Sequence, residues 1–118
     1  MRCVLAKTDG TVRAVNVSTD TLDEIYSILG CSCFDIVTRK FGKHYYDIFC
    51  DDEGWLHEGP KVITAFSDDF TEVLVGNIMV ARHDDDGNTI ALTDEQCEEV
   101  LQYVVMSPEG HKTLVFRH

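Results

Sequence analysis

The sequence predicts an α+β fold: a single domain with a mostly antiparallel sheet built from hairpins and two amphipathic helices. Three observations carry this. Asp-Gly pairs separate strand-like apolar runs at Asp9-Gly10 and Asp86-Gly87, and glycine supplies the positive φ that tight hairpin turns need. Two capping signatures, Thr21-x-x-Glu24 and Thr93-x-x-Gln96, each precede apolar residues at helical spacing. Each helical stretch follows a hairpin, with about five to seven strands in all, the pattern of α+β rather than of regular βαβ alternation.

Taken in order, Arg2 to Lys7 and Thr11 to Val17 form an opening hairpin about Thr8-Asp9-Gly10. Ser18-Thr19-Asp20-Thr21 starts a helix whose apolar face is Leu22, Ile25, Ile28 and Leu29, and Gly30 closes it. Strands over 32–38 and 45–50 flank a basic turn, Arg39-Lys40-Phe41-Gly42-Lys43, the only concentrated positive patch. Asp51-Asp52-Glu53-Gly54 turns the chain into Trp55-Leu56-His57-Glu58-Gly59-Pro60, where Pro60 discourages a regular element. Lys61 to Phe66 reads as a short strand or a helical turn, and Ser67 to Phe70 as a loop. Glu72 to Ala81, apolar on both faces, reads as one central strand with a bulge or bend at Gly76-Asn77. Arg82 to Asn88 is a hairpin connection, and Cys97, Val100, Leu101 and Val104 mark the apolar face of the second helix. Ser107-Pro108-Glu109-Gly110 stops that helix, and Lys112 to Arg117 forms a last edge strand. The domain spans 1–118, with 107–118 read as a C-terminal extension.

The net charge of −11, from 21 acidic and 10 basic residues, disfavours direct binding to a nucleic-acid backbone, which requires a basic face. It suits a partner with a basic surface, drawn in by long-range attraction. There is no apolar run of membrane-spanning length and no secretory leader pattern, so the cytoplasm is expected. The five scattered cysteines read as small buried hydrophobes of a reducing compartment. Cys31-Ser32-Cys33 is the only close pair, and without a second pair it is read as packing rather than metal ligation.

No signature of a nucleotide-binding or acyl-transfer enzyme is present. The turn Asp84-Asp85-Asp86-Gly87 fails as a calcium loop. With Gly87 at the sixth position, Arg82 falls at the first, which needs an oxygen ligand, and Thr93 at the twelfth, which needs an acid. It reads instead as a solvated acidic turn. His57, surrounded in sequence by Asp51, Asp52, Trp55 and Glu58, has the setting of a general base, but no nucleophile motif accompanies it. Trp55 suits either a binding hot spot or a plug at the edge of the core.

The segments Val75-Gly76-Asn77-Ile78-Met79-Val80 and Ala91-Leu92-Thr93-Asp94-Glu95-Gln96, with the acidic Asp-Asp-Gly turn between them, resemble the domain of unknown function 3846 family. The opening Val4 to Val12 and the middle Asp47 to Leu56 are similar too, so the likeness covers nearly the whole chain. Two departures stand out: Cys31-Ser32-Cys33, where a Gly-rich approach to the strand is expected, and the tail after Pro108. The resemblance implies a phage, plasmid or other mobile-element context and assigns no activity or catalytic residue.

The expected function is that of a non-catalytic acidic binding protein, a phage or mobile-element accessory that counters a host defence by engaging a host protein with a basic groove. The alternative is a small-ligand binder that sequesters a nucleotide signal near Arg39, Lys40, Trp55 and His57. A small enzyme is the third reading, to be supported by a His–carboxylate pair buried in a cleft. Candidate binding residues are Arg39, Lys40, Asp51, Asp52, Trp55, His57, Asp84, Asp85 and Asp86, with no catalytic residue, cofactor or metal expected.

Overall fold

The structure, a computed structural model, describes residues 1–18, 22–56 and 58–118. The opening hairpin forms as its Asp-Gly turn predicts, from β1 (Arg2–Ala6) and β2 (Val12–Asn16), with Gly10 at φ +89°. Helix α1 (Leu22–Leu29) follows and ends at Gly30, whose φ of +68° turns the chain so that the Cys31 N–H also reaches Tyr26 O, at 3.2 Å. The Thr21 capping signature lies outside the described residues.

The next hairpin is longer than its sequence reading. Strands β3 (Phe34–Phe41) and β4 (His44–Asp51) pair along their full lengths, and the turn between them is only Gly42-Lys43. Arg39 and Lys40 are therefore strand residues on opposite faces of a sheet, not neighbours in a basic turn. Strand pairing overrides the loop reading because Phe41 is a fully buried core residue that anchors the strand's last position.

The apolar run over 72–81 is not one strand. It is two, β6 (Val73–Val75) and β7 (Ile78–His83), and they lie in different sheets. Gly76-Asn77 is the crossing point, with Gly76 at φ +85°. After β7 come the short β8 (Thr89–Ile90) and helix α2 (Asp94–Leu101). The Thr93 capping box is complete: its hydroxyl accepts from the Gln96 N–H, and the Gln96 side chain accepts from the Thr93 N–H. The helix stops at Leu101, so Val104 is strand rather than helix. It opens β9 (Val104–Met106), and Ser107 to Gly110 is a hairpin turn into β10 (Lys112–Phe116).

Two sheets result. The large one runs β2-β1-β7-β4-β3, with β8 attached to β7. The small one contains β5 (Ile63–Ser67) and runs β6-β5-β10-β9. Every pairing is antiparallel except β5 with β10. The expected edge strand is thus an interior one, and residues 112–116 complete the sheet between β5 and β9.

Alternation along the central strands explains the layers. Val4, Ala6, Tyr46, Ile48, Cys50, Ile78 and Val80 point inward and pack against Ala65, Leu114 and Phe116 of the small sheet, with Leu92, Cys97 and Val100 from the α2 segment. Cys3, Phe49, Met79 and Ala81 point to the opposite face, where Ile25 and Leu29 of α1 cover them. The two sheets are stitched at one edge. Lys40 and Arg117 exchange backbone hydrogen bonds of 2.8 and 2.9 Å, and Arg39 grips Glu72 through two bonds of 2.9 and 2.7 Å.

Phe116 is fully buried between the sheets. Phe116→Ala is expected to cost about 3–5 kcal/mol, read as a lowered urea midpoint at unchanged slope. A chain cut after Val105 is expected to lose the cooperative transition altogether.

Candidate functional site

The two faces of the small sheet have different fates. The inner face is core, while the outer face has no covering layer. Phe66 on β5 and Val73 on β6 are register partners on this outer face, as are Thr113 on β10 and Val105 on β9. With Ile63, Phe70 and Met106 they line an open groove of about 440 Å³. Ile63, Val105 and Met106 are exposed although large and apolar, and Phe70 is 74% exposed.

Phe70 sits in the turn that joins β5 to β6 and is the only non-glycine at positive φ among the described residues, at 61°. Bulky side chains avoid this conformation. Phe70 adopts it and stacks its ring on Phe66, with centroids 5.3 Å apart and planes 8° from parallel. The turn is held by Asp69, whose carboxylate accepts from the Thr71 hydroxyl at 2.7 Å and from the Thr71 N–H at 3.2 Å. Hydrogen bonds from the Thr71 side chain, and then Ser67, hold its carboxyl down at about 2, so this residue of the β5–β6 turn is anionic near neutral pH.

A second polar cluster lies on the large sheet. Helix α1 covers only part of the outer face, leaving Thr38, Lys40, Tyr45, Asp47 and His83 beyond it. These five share the face because they fall at alternate positions of paired strands (Thr38 opposite Asp47, Lys40 opposite Tyr45, Asp47 opposite Ala81). The Asp47 side chain is only 6% exposed and both its oxygens are occupied: the Thr38 hydroxyl donates at 2.9 Å and His83 Nδ1 lies at 2.7 Å. This fixes the proton of His83 on Nδ1 and turns Nε2 outward. The Asp47 hydrogen bond and charge, with lesser contributions from Asp84 and Asp85, push the His83 pKa above its ordinary value. The Lys40 ammonium lies 5.7 Å from the centre of the Tyr45 ring.

A His–carboxylate pair therefore exists, but its imidazole is about half exposed on an open sheet face. Neither His83 nor Asp47 lines the groove.

The residues expected from sequence are dispersed. Arg39 is engaged by Glu72, on the face opposite Lys40. Trp55 donates its indole N–H to Val73 O at 3.2 Å, so it leans on the β6 wall of the groove with more than half its surface exposed. Asp51 accepts from the Glu53 N–H within its own turn, and Asp52 is exposed beside it. His57 lies outside the described residues. Asp84 is a structural residue of the acidic turn, accepting from the N–H groups of Asp86 and Asn88 at 3.0 and 2.9 Å. Asp85 and Asp86 project into solvent. The groove residues Ile63, Phe70, Val105 and Met106 were not singled out in the sequence. Their alternation marks strands but carries no sign of which face would be left uncovered.

The family model described as Domain of unknown function (DUF3846) matches residues 1–105. No curated protein and no solved structure matches the chain.

Because its folded pKa is raised, His83 contributes stability that is fully present below its ordinary value and is lost as pH rises through the raised one. An NMR titration of the His83 ring is expected to show the raised midpoint. The midpoint should fall back toward 6.5 in Asp47→Asn, and the stability advantage over His83→Gln should vanish on the alkaline side.

Proposed function

The chain belongs to the DUF3846 family, and from that premise we propose that it is a non-catalytic binding protein. Its partner is a protein that presents apolar side chains flanked by Lys or Arg. The observation that carries this reading is the uncovered outer face of the small sheet, with Ile63, Phe70, Val105 and Met106 exposed around one groove. Exposed apolar patches rimmed by polar residues mark interaction sites. Phe70 strengthens the case: a large ring held at positive φ and facing solvent violates a local rule without stabilising the core, as functional positions do.

Charge selects among partners. The chain carries −11 overall; Glu109 lines the groove together with Lys61 and His111, and Asp68 and Asp69 lie in the adjoining β5–β6 turn, beside Arg117 and His118. An apolar segment with basic flanks satisfies both the groove and the field, whereas an acidic partner meets repulsion. Steering by the field raises the association rate and the desolvated apolar contacts set the dissociation rate. In its finer form the proposal is a phage or mobile-element accessory acting in the cytoplasm, with a basic host defence protein as the partner. The mobile-element context implied by the family resemblance supports that form.

A second reading, a small phosphorylated ligand such as a nucleotide, is favoured by Lys40, Tyr45 and His83 sharing one uncovered sheet face. Mass spectrometry of ligands retained after incubation with host nucleotides separates the two. Retention that survives Phe70→Asp but not Lys40→Ala would favour the small ligand.

For the leading reading the informative pair of variants is Phe70→Asp and Asp85→Lys with Asp86→Lys. Phe70→Asp removes the apolar anchor while adding negative charge, so loss of binding reports the apolar contact and not the field. It is expected to weaken capture of basic partners at least tenfold, about 1.4 kcal/mol. The double reversal should slow association and flatten its salt dependence. Quantitative capture at low and high salt, indifferent to both variants, would sink the proposal.

A further inference from the structure

Two segments distant in sequence bring a thiol and two carboxylates together. Cys33 lies just before β3, in the segment that follows α1, and Asp52 and Glu53 lie in the turn after β4. One ligand atom from each, the Cys33 sulfur and a carboxylate oxygen from Asp52 and from Glu53, all lie within 4.8 Å of one another. No basic side chain forms an ion pair with Asp52 or Glu53 among the described residues. A second thiol, Cys31, stands two residues back and half-buried, with the Cys33 N–H hydrogen-bonded to it. Burial, and then the Asp51 and Asp52 carboxylates, push the Cys31 thiol up.

We propose that Cys33, Asp52 and Glu53 form a binding site for a borderline-soft divalent cation of the zinc class, with water completing the coordination. The donor set makes the choice. Calcium and magnesium take oxygen ligands almost exclusively, whereas a sulfur donor combined with carboxylates favours zinc. Among the described residues no basic side chain pairs with the two carboxylates, and a divalent cation would supply the compensating charge. The Cys33 thiol coordinates as thiolate and its proton passes to water, so binding weakens as pH falls.

The turn that would hold the ion is firmly placed. Gly54 N–H bonds to Asp51 O at 3.2 Å, and a Cβ on Gly54 would meet Val75 at 3.1 Å, so the turn sits hard against β6. The ion would tie the segment after α1 to the turn that carries Trp55, and through it to the β6 wall of the groove. The Cys31-Ser32-Cys33 spacing is too short for a zinc site by itself. The carboxylates that complete it follow Asp51, the register partner of Phe34 at the open end of the β3–β4 hairpin, which no local pattern reveals.

The test is equilibrium dialysis of the reduced full chain against zinc chloride, with native mass spectrometry for stoichiometry and cobalt substitution to reveal a thiolate-to-metal absorption band. One zinc per chain is expected, weakened at least tenfold by Cys33→Ser and by Asp52→Asn with Glu53→Gln, and unchanged in Asp86→Asn. Each variant should keep the wild-type urea midpoint in the absence of metal. No retained zinc, or zinc retained equally by Cys33→Ser, overturns the site.

Discussion

The architecture depends on one crossing. Between Val75 and Ile78 the chain leaves the small sheet and becomes the central strand of the large one, within the two residues Gly76 and Asn77. Several groups pin this passage. Gly76 N–H bonds to Val62 O at 3.0 Å, the Thr64 hydroxyl donates to Gly76 O at 2.6 Å, and Asn77 Oδ1 accepts from the Thr8 N–H at 2.9 Å. Gly76 needs no room for a side chain and holds φ +85° at no steric cost. Because β6 is at the edge of one sheet and β7 at the centre of the other, this short link fixes how the sheets stack. The fully buried Thr64 is there to satisfy a carbonyl that the crossing would otherwise strand.

From that stacking the burial pattern follows. The large sheet is apolar on both faces of β7 because each face has a cover, the small sheet on one side and α1 on the other. The covers are unequal in extent. Helix α1 is only two turns long and leaves the far end of the face to Thr38, Asp47, His83, Lys40 and Tyr45. Asp47 is buried there at low cost because both its oxygens are bonded. The exposed edge of β3 is similarly managed by local side chains: Asp35 accepts from the Ile36 N–H at 2.9 Å and Arg39 donates to Thr38 O at 2.8 Å. Backbone groups that would otherwise invite another strand are occupied.

What the sequence could say divides along the same line. The hairpins, the Thr93 cap and the Gly30 stop are local and were legible, because the residues that make them are neighbours in the chain. The α+β class and the family resemblance rest on those local features. The division of 72–81 between two sheets was not legible, since an apolar run reads alike whether it serves one sheet or two. Nor was the interior place of β10: its parallel pairing with β5 joins residues about fifty apart, and no short-range signal encodes it. The family model stops at residue 105, yet Leu114 and Phe116 beyond it are core. Among the acidic candidates, Asp52 and Asp84 to Asp86 lie in turns, and Asp51 ends β4. Arg39 and Lys40 were read as a patch, and the strand's alternation set them on opposite faces.

The acidic turns and the apolar groove answer different physical demands. The turns at Asp51 to Glu53 and Asp84 to Asp86 follow β4 and β7 of the large sheet, whereas the groove belongs to the small one. Charges at a distance act through a field that salt shortens to about 8 Å at physiological strength, so they orient a partner rather than hold it. Holding requires contacts from which water leaves, and the groove is where large apolar side chains already lack a cover. Phe70 and Phe66 form a preorganised aromatic pair at one wall, and Trp55 braces another through Val73. Ordering these rings before a partner arrives lowers the entropy lost on binding. A protein built only for solubility would need the acidic turns but not a phenylalanine held at positive φ in open water, and that residue is the strongest reason to look to the small sheet for function.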